Sequence, residues 1–580
     1  MPLKKSLILR FTSTLLLLAF VANSFAAGAH AQEAQRDRRV GQSPATVSPS
    51  VAPSPTPSST TTIATTTRTP AAPVAPVRTL EALRAGIEEV LGAPELAPAT
   101  LGLKVVSLDT GRVLFEENAG KLLVPASNMK LYTVAAAFDR LGADYRFITS
   151  VYAQELPDKK GKLRGDLVLY GRGDPTFSTR FNGGDYFKAI DELAARIVAA
   201  GVRQVEGDFV GDESYFTGPP RSPGWEWDDL QWYYGADVSA LTVNNNALDL
   251  SVKPGARAGD AGVVTTGPAS PSIRVVVPRG KEEMTYAPHF LTFINRVTTA
   301  PRGAKRDISV HRPLGQNFIE VAGQIPEGDP GYTGSVAVAR PALLFASMLR
   351  AALEKQGVSI KGRTRIIDAP MRPQPEPPSL AGQPIKNPYP VEIARRESPP
   401  FSEIAAQTLK PSDNLYTELI LRALGKQFPS TDPKLTSAEA GLSVIRTFLN
   451  EAGVNTAHLA FVDGSGLARQ NLITAESTVQ LLVYMSKHRH AQAWRDAQPV
   501  AGVDGTLRGR MRNTVAAGNV RAKTGTLNNV SGLSGYVTSA AGERLAFSII
   551  VNHYPDDNPP RQNYMDAIAV LLASFAAKSD

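Results

Sequence analysis

Leu123-Val124-Pro125-Ala126-Ser127-Asn128-Met129-Lys130 opens an apolar stretch that continues to Leu141 and meets Gly142. Proline is preorganised for the start of a helix and glycine favours its end, so the pattern predicts a helix over Ser127 to Leu141. Ser127 and Lys130 lie three apart and therefore share one face of it. A serine hydroxyl is a weak nucleophile at neutral pH, but a lysine in a dry, positively charged pocket can lose its proton and act as the base. The first turn behind Pro125 also places Ser127 where the helix dipole favours developing negative charge. Alone the pair proves little, because serine three before lysine arises by chance about once in a chain of this length and then marks a solvated helix face.

Two further segments change its weight. Lys410-Pro411-Ser412-Asp413-Asn414-Leu415-Tyr416 reads by itself as an ordinary helix cap, with Ser412 or Asp413 binding backbone amides. Beside the first motif, Ser412 can relay a proton to a leaving amine while Asn414 orients Lys130 and a substrate amide. Lys523-Thr524-Gly525-Thr526 follows at the end of an expected strand over Val520 to Lys523. There Gly525 leaves room for a substrate backbone along the strand edge, Thr524 and Thr526 can bind a carboxylate, and Lys523 adds positive charge. The plainer reading of that segment is a polar edge strand. The three motifs follow one another along the chain as Ser-x-x-Lys, Ser-Asp-Asn and Lys-Thr-Gly.

Outward from these motifs, Leu80, Leu83, Ile87 and Leu91 recur at helical spacing and predict a helix over Thr79 to Gly92. Leu103 to Val106 and Val113 to Glu116 flank the turn Asp109-Thr110-Gly111 as two strands. Near the C-terminus, Gly535 to Thr538 and Leu545 to Val551 read as strands joined at Ala541-Gly542, and Tyr564 to Ala577 as a closing helix. Strands from both ends with helices between them predict one antiparallel sheet assembled from the two chain ends. The middle, about Tyr145 to Arg395, is then an insertion of short strands such as Asp166 to Tyr170, Val205 to Val210 and Ile273 to Val277. Helices are expected in it over Asp185 to Ala200 and Pro341 to Gln356.

Residues 1–31 join a charged start, a short apolar run from Leu15 to Ala27 and the small-residue exit Ala29-His30-Ala31, the pattern of a secretory signal peptide. The run is short of the roughly 20 residues a spanning helix needs, so no stable transmembrane anchor is expected. From 32 to 78 the chain is dense in Pro, Ser, Thr and Ala and reads as an extended, disordered tether. The chain has no cysteine, which excludes disulfides, thiol nucleophiles and thiolate metal sites. Its net charge of +8 is scattered. That charge fits simple solubility or attraction to a polyanionic wall, and export argues against a nucleic-acid partner.

Taken together, the three motifs resemble the signature set of penicillin-binding proteins and serine β-lactamases. The fuller likeness, over about Thr79 to Ala577, is to the D-alanyl-D-alanine carboxypeptidase and endopeptidase family with a large insertion between the first two motifs. It is also carried by Gly171-Arg172-Gly173-Asp174-Pro175, Val243-Asn244-Asn245, Asp463-Gly464-Ser465-Gly466-Leu467 and Asp504-Gly505-Thr506-Leu507. The resemblance implies an α+β fold, a transpeptidase-type domain whose antiparallel sheet has helices on both faces, formed by 79–147 and 396–580. A large, mainly β insertion over 148–395 is expected to form two units.

The resemblance further implies that Ser127 is the nucleophile, Lys130 its base, and Ser412, Asn414 and Lys523 the proton-relay and orienting group. The amides of Ser127 and Thr526 would form the oxyanion hole, Thr524, Gly525 and Thr526 would take the substrate's terminal carboxylate, and Ser465, Gly466 and Leu467 would line the site. Asp228 and Asp229, within Trp225-Glu226-Trp227-Asp228-Asp229 and ahead of Tyr233-Tyr234, resemble a patch that receives a substrate amine; a buried aromatic cluster is the other reading. The partners implied are peptidoglycan stem peptides, with β-lactams as inhibitors, in an exported, periplasmic or envelope setting and without cofactor or metal.

Other classes fit less well. A β-lactamase is compact, and about 285 residues separate Ser127 from Ser412. A high-molecular-mass transpeptidase would carry a membrane anchor. A wall-binding or sensing module without catalysis would be expected to lose Ser127, Lys130 or Lys523. His289, His311, His458, His488, His490 and His553 lack a nucleophile-partner setting, and no metal-ligand cluster is legible; His488 and His490 read as a solvated helix end.

Overall fold

The computed structural model describes residues 77–269, 273–277, 290–371, 389–555 and 561–579. The expected leader and all but the last two residues of the expected tether lie outside them. Among the described residues no helix is long and apolar enough to cross a membrane.

Helix α1 (Leu80–Leu91) starts where Thr79 Oγ1 accepts from Ala82 N at 3.1 Å. The sheet it packs on comprises β1 (Thr100–Ser107), β2 (Val113–Glu117), β3 (Arg521–Leu527), β4 (Val530–Thr538) and β5 (Arg544–Asn552). Its order is β3-β4-β5-β1-β2, every neighbour antiparallel, with Leu103 opposite Ile549 and Val105 opposite Phe547. The two chain ends therefore meet in its centre, as the strand pattern predicts.

Alternation along β5 shows why the sheet is covered on both sides. Leu545, Phe547 and Ile549 join Leu83, Ile87, Ile568 and Leu572 in one core. Ala546 and Ile550 join Leu131, Tyr132, Leu481 and Leu482 in the other. Successive strand residues point to opposite faces, so a strand apolar at both parities needs helices on both. Each such large side chain stabilises the fold by roughly 1.5–3 kcal/mol. The helix expected at Ser127 begins differently from the expectation: Ala126–Asn128 form a 3-10 turn and α2 proper spans Met129–Arg140. Ala126 takes a positive φ of 46°, which turns Ser127 out of the helical path.

Between Ile148 and Glu397 the chain builds a second set of sheets. A mixed five-stranded sheet, ordered Thr364–Ile367, Phe209–Asp212, Leu167–Tyr170, Ile148–Ala153, Val391–Glu397, packs against the helices Lys188–Ala199 and Pro341–Lys355. Four- and three-stranded sheets built on Leu291–Ala300 and Ala247–Lys253 complete it, with a further three-stranded sheet of two-residue strands. Three expectations are corrected here. Val205 to Val210 is not one strand: Gln204–Val205 and Phe209–Asp212 pair in different sheets, because Gly207 N bonds Gly165 O and Asp208 N bonds Asp166 Oδ1 in the crossing. The helix expected from Asp185 starts at Lys188, since Asp185 Oδ1 takes the amides of Phe187 and Lys188 as a turn. His488 is not a solvated helix end either; its side chain is 5 % exposed and sits 3.1 Å from Asp139 Oδ1.

Candidate active site

Ser127 is half-buried on the 3-10 turn, inside the loop that the hydrogen bond from Asn128 N to Pro125 O closes. Two glycines press the turn into place. A Cβ on Gly466 (φ +81°) would lie 1.8 Å from Ala126 O, and one on Gly525 would lie 2.6 Å from Pro125 O. Gly525 is thus required by the protein's own nucleophile turn, a reason for glycine here that the sequence did not reveal. It also sits inside β3 rather than just beyond a strand that ends at Lys523, since the strand runs to Leu527 on the edge of the sheet.

Lys130 is completely buried, and its Nζ lies 2.8 Å from Ser127 Oγ, 2.6 Å from Asn414 Oδ1 and 2.7 Å from Ser465 O. Burial lowers its pKa to about 8, while the negative charges of Asp463, Asp413 and Glu418 oppose that fall. Geometry then defines the neutral form. An amine keeps two protons for the carbonyl oxygens of Asn414 and Ser465, and its lone pair is left for the serine hydroxyl.

Ser412 (φ +65°) and Asp413 divide the two readings of their segment between them. Asp413 is the N-cap of the helix Asn414–Gln427, accepting from Tyr416 N at 2.9 Å, while its other oxygen accepts from Arg180 NH1 at 2.6 Å and Asn245 Nδ2 at 2.8 Å. Ser412 Oγ instead accepts from Lys523 Nζ at 2.8 Å. Asn414, besides meeting Lys130, donates to Tyr234 O at 2.9 Å. Lys523 is fully buried and also donates to Thr524 O at 2.7 Å. Burial, and then the nearby Lys130, hold its pKa well below the ordinary lysine value. Thr524 Oγ1 donates to Thr506 Oγ1 at 2.7 Å, and Thr526 is exposed beyond it.

The 225–234 segment borders this centre. Trp227 is 62 % exposed, Trp225 Nε1 donates to Asp463 Oδ2 at 2.9 Å, and Arg469 Nε donates to Glu226 Oε1 at 3.0 Å, whereas Trp232 is buried in the core of the inserted region, so the segment runs from the surface into that core. Carboxylate oxygens of Glu226, Asp228 and Asp229 come within 4.8 Å of one another, a gathering of possible ligands that the sequence did not reveal. Asp228 is half-buried and Asp229 buried. Ser465 and Leu467 are buried beneath the site, where the Ser465 side chain faces Asp463. Sequence reasoning gave no role to Arg180, Asn245, Asp463 or Thr506. The last three lie in sequence islands that were legible; Arg180 had no signal.

A hydroxyl, a buried amine and a second serine with its own lysine, all on the rim of a sheet closed from both chain ends, define a serine D,D-peptidase with the penicillin-binding fold. The chain belongs to the D-Ala-D-Ala carboxypeptidase 3 (S13) family, whose profile matches residues 83–575. It is 36% identical over 508 residues to a D-alanyl-D-alanine carboxypeptidase of Actinomadura sp. (strain R39), covering 86% of this chain and 85% of that one. It is 25% identical over 458 residues to the D-alanyl-D-alanine carboxypeptidase DacB of Haemophilus influenzae, covering 79% of this chain and 86% of the relative. The crystal structure of penicillin binding protein 4 (dacB) from Haemophilus influenzae shares the fold with a TM-score of 0.66 at 22% identity, over 83% of this chain and 97% of that one.

Proposed function

We propose that Ser127 is acylated by the D-alanyl-D-alanine end of peptidoglycan stem peptides, and by β-lactams that mimic it. Lys130 takes the Ser127 proton as Oγ attacks the carbonyl carbon of the penultimate D-alanine. The negative oxygen of the tetrahedral stage is held by the amides of Ser127 and Thr526, fixed donors of the kind that contribute roughly 3–4 kcal/mol elsewhere. The C–N bond then breaks, and the leaving amine takes a proton through Ser412, which Lys523 orients. Water hydrolyses the ester and frees the serine. Thr524 and Thr526 bind the terminal carboxylate, and Asp228, beside Glu226 and Asp229, receives the free amine of the peptide side chain. Removal of a terminal D-alanine and cleavage of a D,D cross-bridge differ only in what leaves. Residues 1–31 direct export to the cell envelope, where such peptides lie.

The observation that carries this reading is Lys130 Nζ, buried and 2.8 Å from Ser127 Oγ. Labelling with a fluorescent penicillin, wild type beside Ser127→Ala, with a muropeptide assay of each, tests it. The variant is expected to lose both labelling and cleavage. Labelling that survives the substitution removes Ser127 as nucleophile.

A further inference from the structure

The Ser465–Gly466 peptide bond stands between two opposite charges. Its carbonyl accepts from Lys130 Nζ at 2.7 Å and its N–H donates to Asp463 Oδ1 at 2.8 Å. Asp463 is completely buried. Its oxygens also accept from Asn471 Nδ2 at 2.7 Å, Ala468 N at 2.8 Å, Trp225 Nε1 at 2.9 Å and Ser465 Oγ at 3.2 Å. Donors converge on both oxygens, the pattern an acceptor-only carboxylate requires. The preceding peptide repeats the arrangement: Gly464 O accepts from Thr133 Oγ1 at 2.8 Å and Ser465 N donates to Glu418 Oε1 at 3.0 Å. Two successive carbonyls thus face α2, and their amides face buried acids.

We propose that Asp463 is a positioning residue for Lys130, acting through the Ser465–Gly466 peptide, and that Trp225 makes the inserted region part of that device. A carboxylate on the N–H end polarises the peptide and strengthens its carbonyl as an acceptor. Gly466 allows the peptide to lie this close to the nucleophile turn, because any Cβ there would strike Ala126 O. With the Ser465 and Asn414 oxygens fixed, the lone pair of the neutral amine has one direction left, toward Ser127. The charged groups around Lys130 are Asp413 and Glu418 on one side, Asp463 beneath and Lys523 across the site.

The inference rests on Lys130 serving as the base, and the test separates the two. Acylation of the full chain by a fluorescent penicillin is timed from pH 6 to 10 for wild type, Asp463→Asn, Trp225→Phe and Lys130→Ala, with a melting curve for each. The wild-type rate should rise through a midpoint near about 8, where Lys130 loses its proton. Removing the Asp463 charge favours the neutral amine, so the midpoint of Asp463→Asn should fall by about one pH unit while its limiting rate drops about tenfold. Trp225→Phe removes a donor that partly neutralises Asp463, so its midpoint should move the opposite way, by about 0.3 unit. A loss of rate with an unmoved midpoint in Asp463→Asn is a structural effect alone and overturns the proposal. If that variant fails to fold, an unmoved midpoint in Trp225→Phe overturns it. Acylation that persists in Lys130→Ala sinks the assignment of the base instead.

Discussion

The sheet made from the two chain ends and the sheets between Ile148 and Glu397 solve different problems. In the first, Val530 to Thr538 lies against Arg544 to Asn552 without a break in register, and β3 is laid along it carrying Lys523. In the second, strands of two to ten residues are spread, among the described residues, over four sheets, parallel and antiparallel. Every side chain proposed to react comes from outside the Ile148–Glu397 region. That region reaches the centre through Arg180 and Asn245, which hold Asp413 between Ser412 and Asn414, through Trp225, which holds Asp463, and through the carbonyl of Tyr234, which holds Asn414. Continuous pairing fixes Lys523 on β3, while the inserted region contributes through a few side chains and one carbonyl that reach across.

The sharpest way to break this contrast is Lys130→Met. Acylation by penicillin should fall about 10⁴-fold or more, as when a member of a catalytic unit is removed. Melting should be unchanged or rise, because a buried amine gives way to an apolar chain of similar length. Gly525→Ala should cost about a hundredfold in acylation rate, since the new Cβ pushes the Pro125–Ser127 turn out of place. Arg180→Ala tests the supporting role of the inserted region; Asp413 keeps Asn245 and Tyr416 N, so kcat should fall only about tenfold, measured on a D-alanyl-D-alanine peptide. A loss as large as that of Lys130→Met would erase the distinction between the regions. The smallest effect on rate is expected from Phe209→Ala, deep in the inserted core: acylation within about threefold of wild type, with stability lowered by about 3–5 kcal/mol on denaturant unfolding.

The reacting centre was legible because each of its parts is a short contiguous string: Ser127 to Lys130 share one turn, and Lys523 to Gly525 share one strand. The strands of the closed sheet were legible too, from alternation near both ends of the chain. What the sequence hid was contact at long separation. Asp413 meets Arg180 and Trp225 meets Asp463 across 233 and 238 residues, and nothing in the local pattern around Arg180 distinguishes it from a solvated arginine. The packing reason for Gly525 was hidden in the same way, because its neighbour is the backbone of Pro125, four hundred residues earlier. Periodicity overextended Val205 to Val210, where apolar alternation continues across a change of sheet.

Closure of the central sheet also sets a timetable for biogenesis. Strand β1 finds its partner β5 only when Ser107 meets Leu545, so at 5–20 residues per second a ribosome keeps them apart for roughly 20–90 s. The Ile148–Glu397 sheets can assemble in that interval, being complete in themselves. The peptidase cannot: Ser127 is made early, and Lys523 arrives near the end. A nascent or truncated chain therefore carries its nucleophile without the means to use it, and the activity appears only after the last strands have been added.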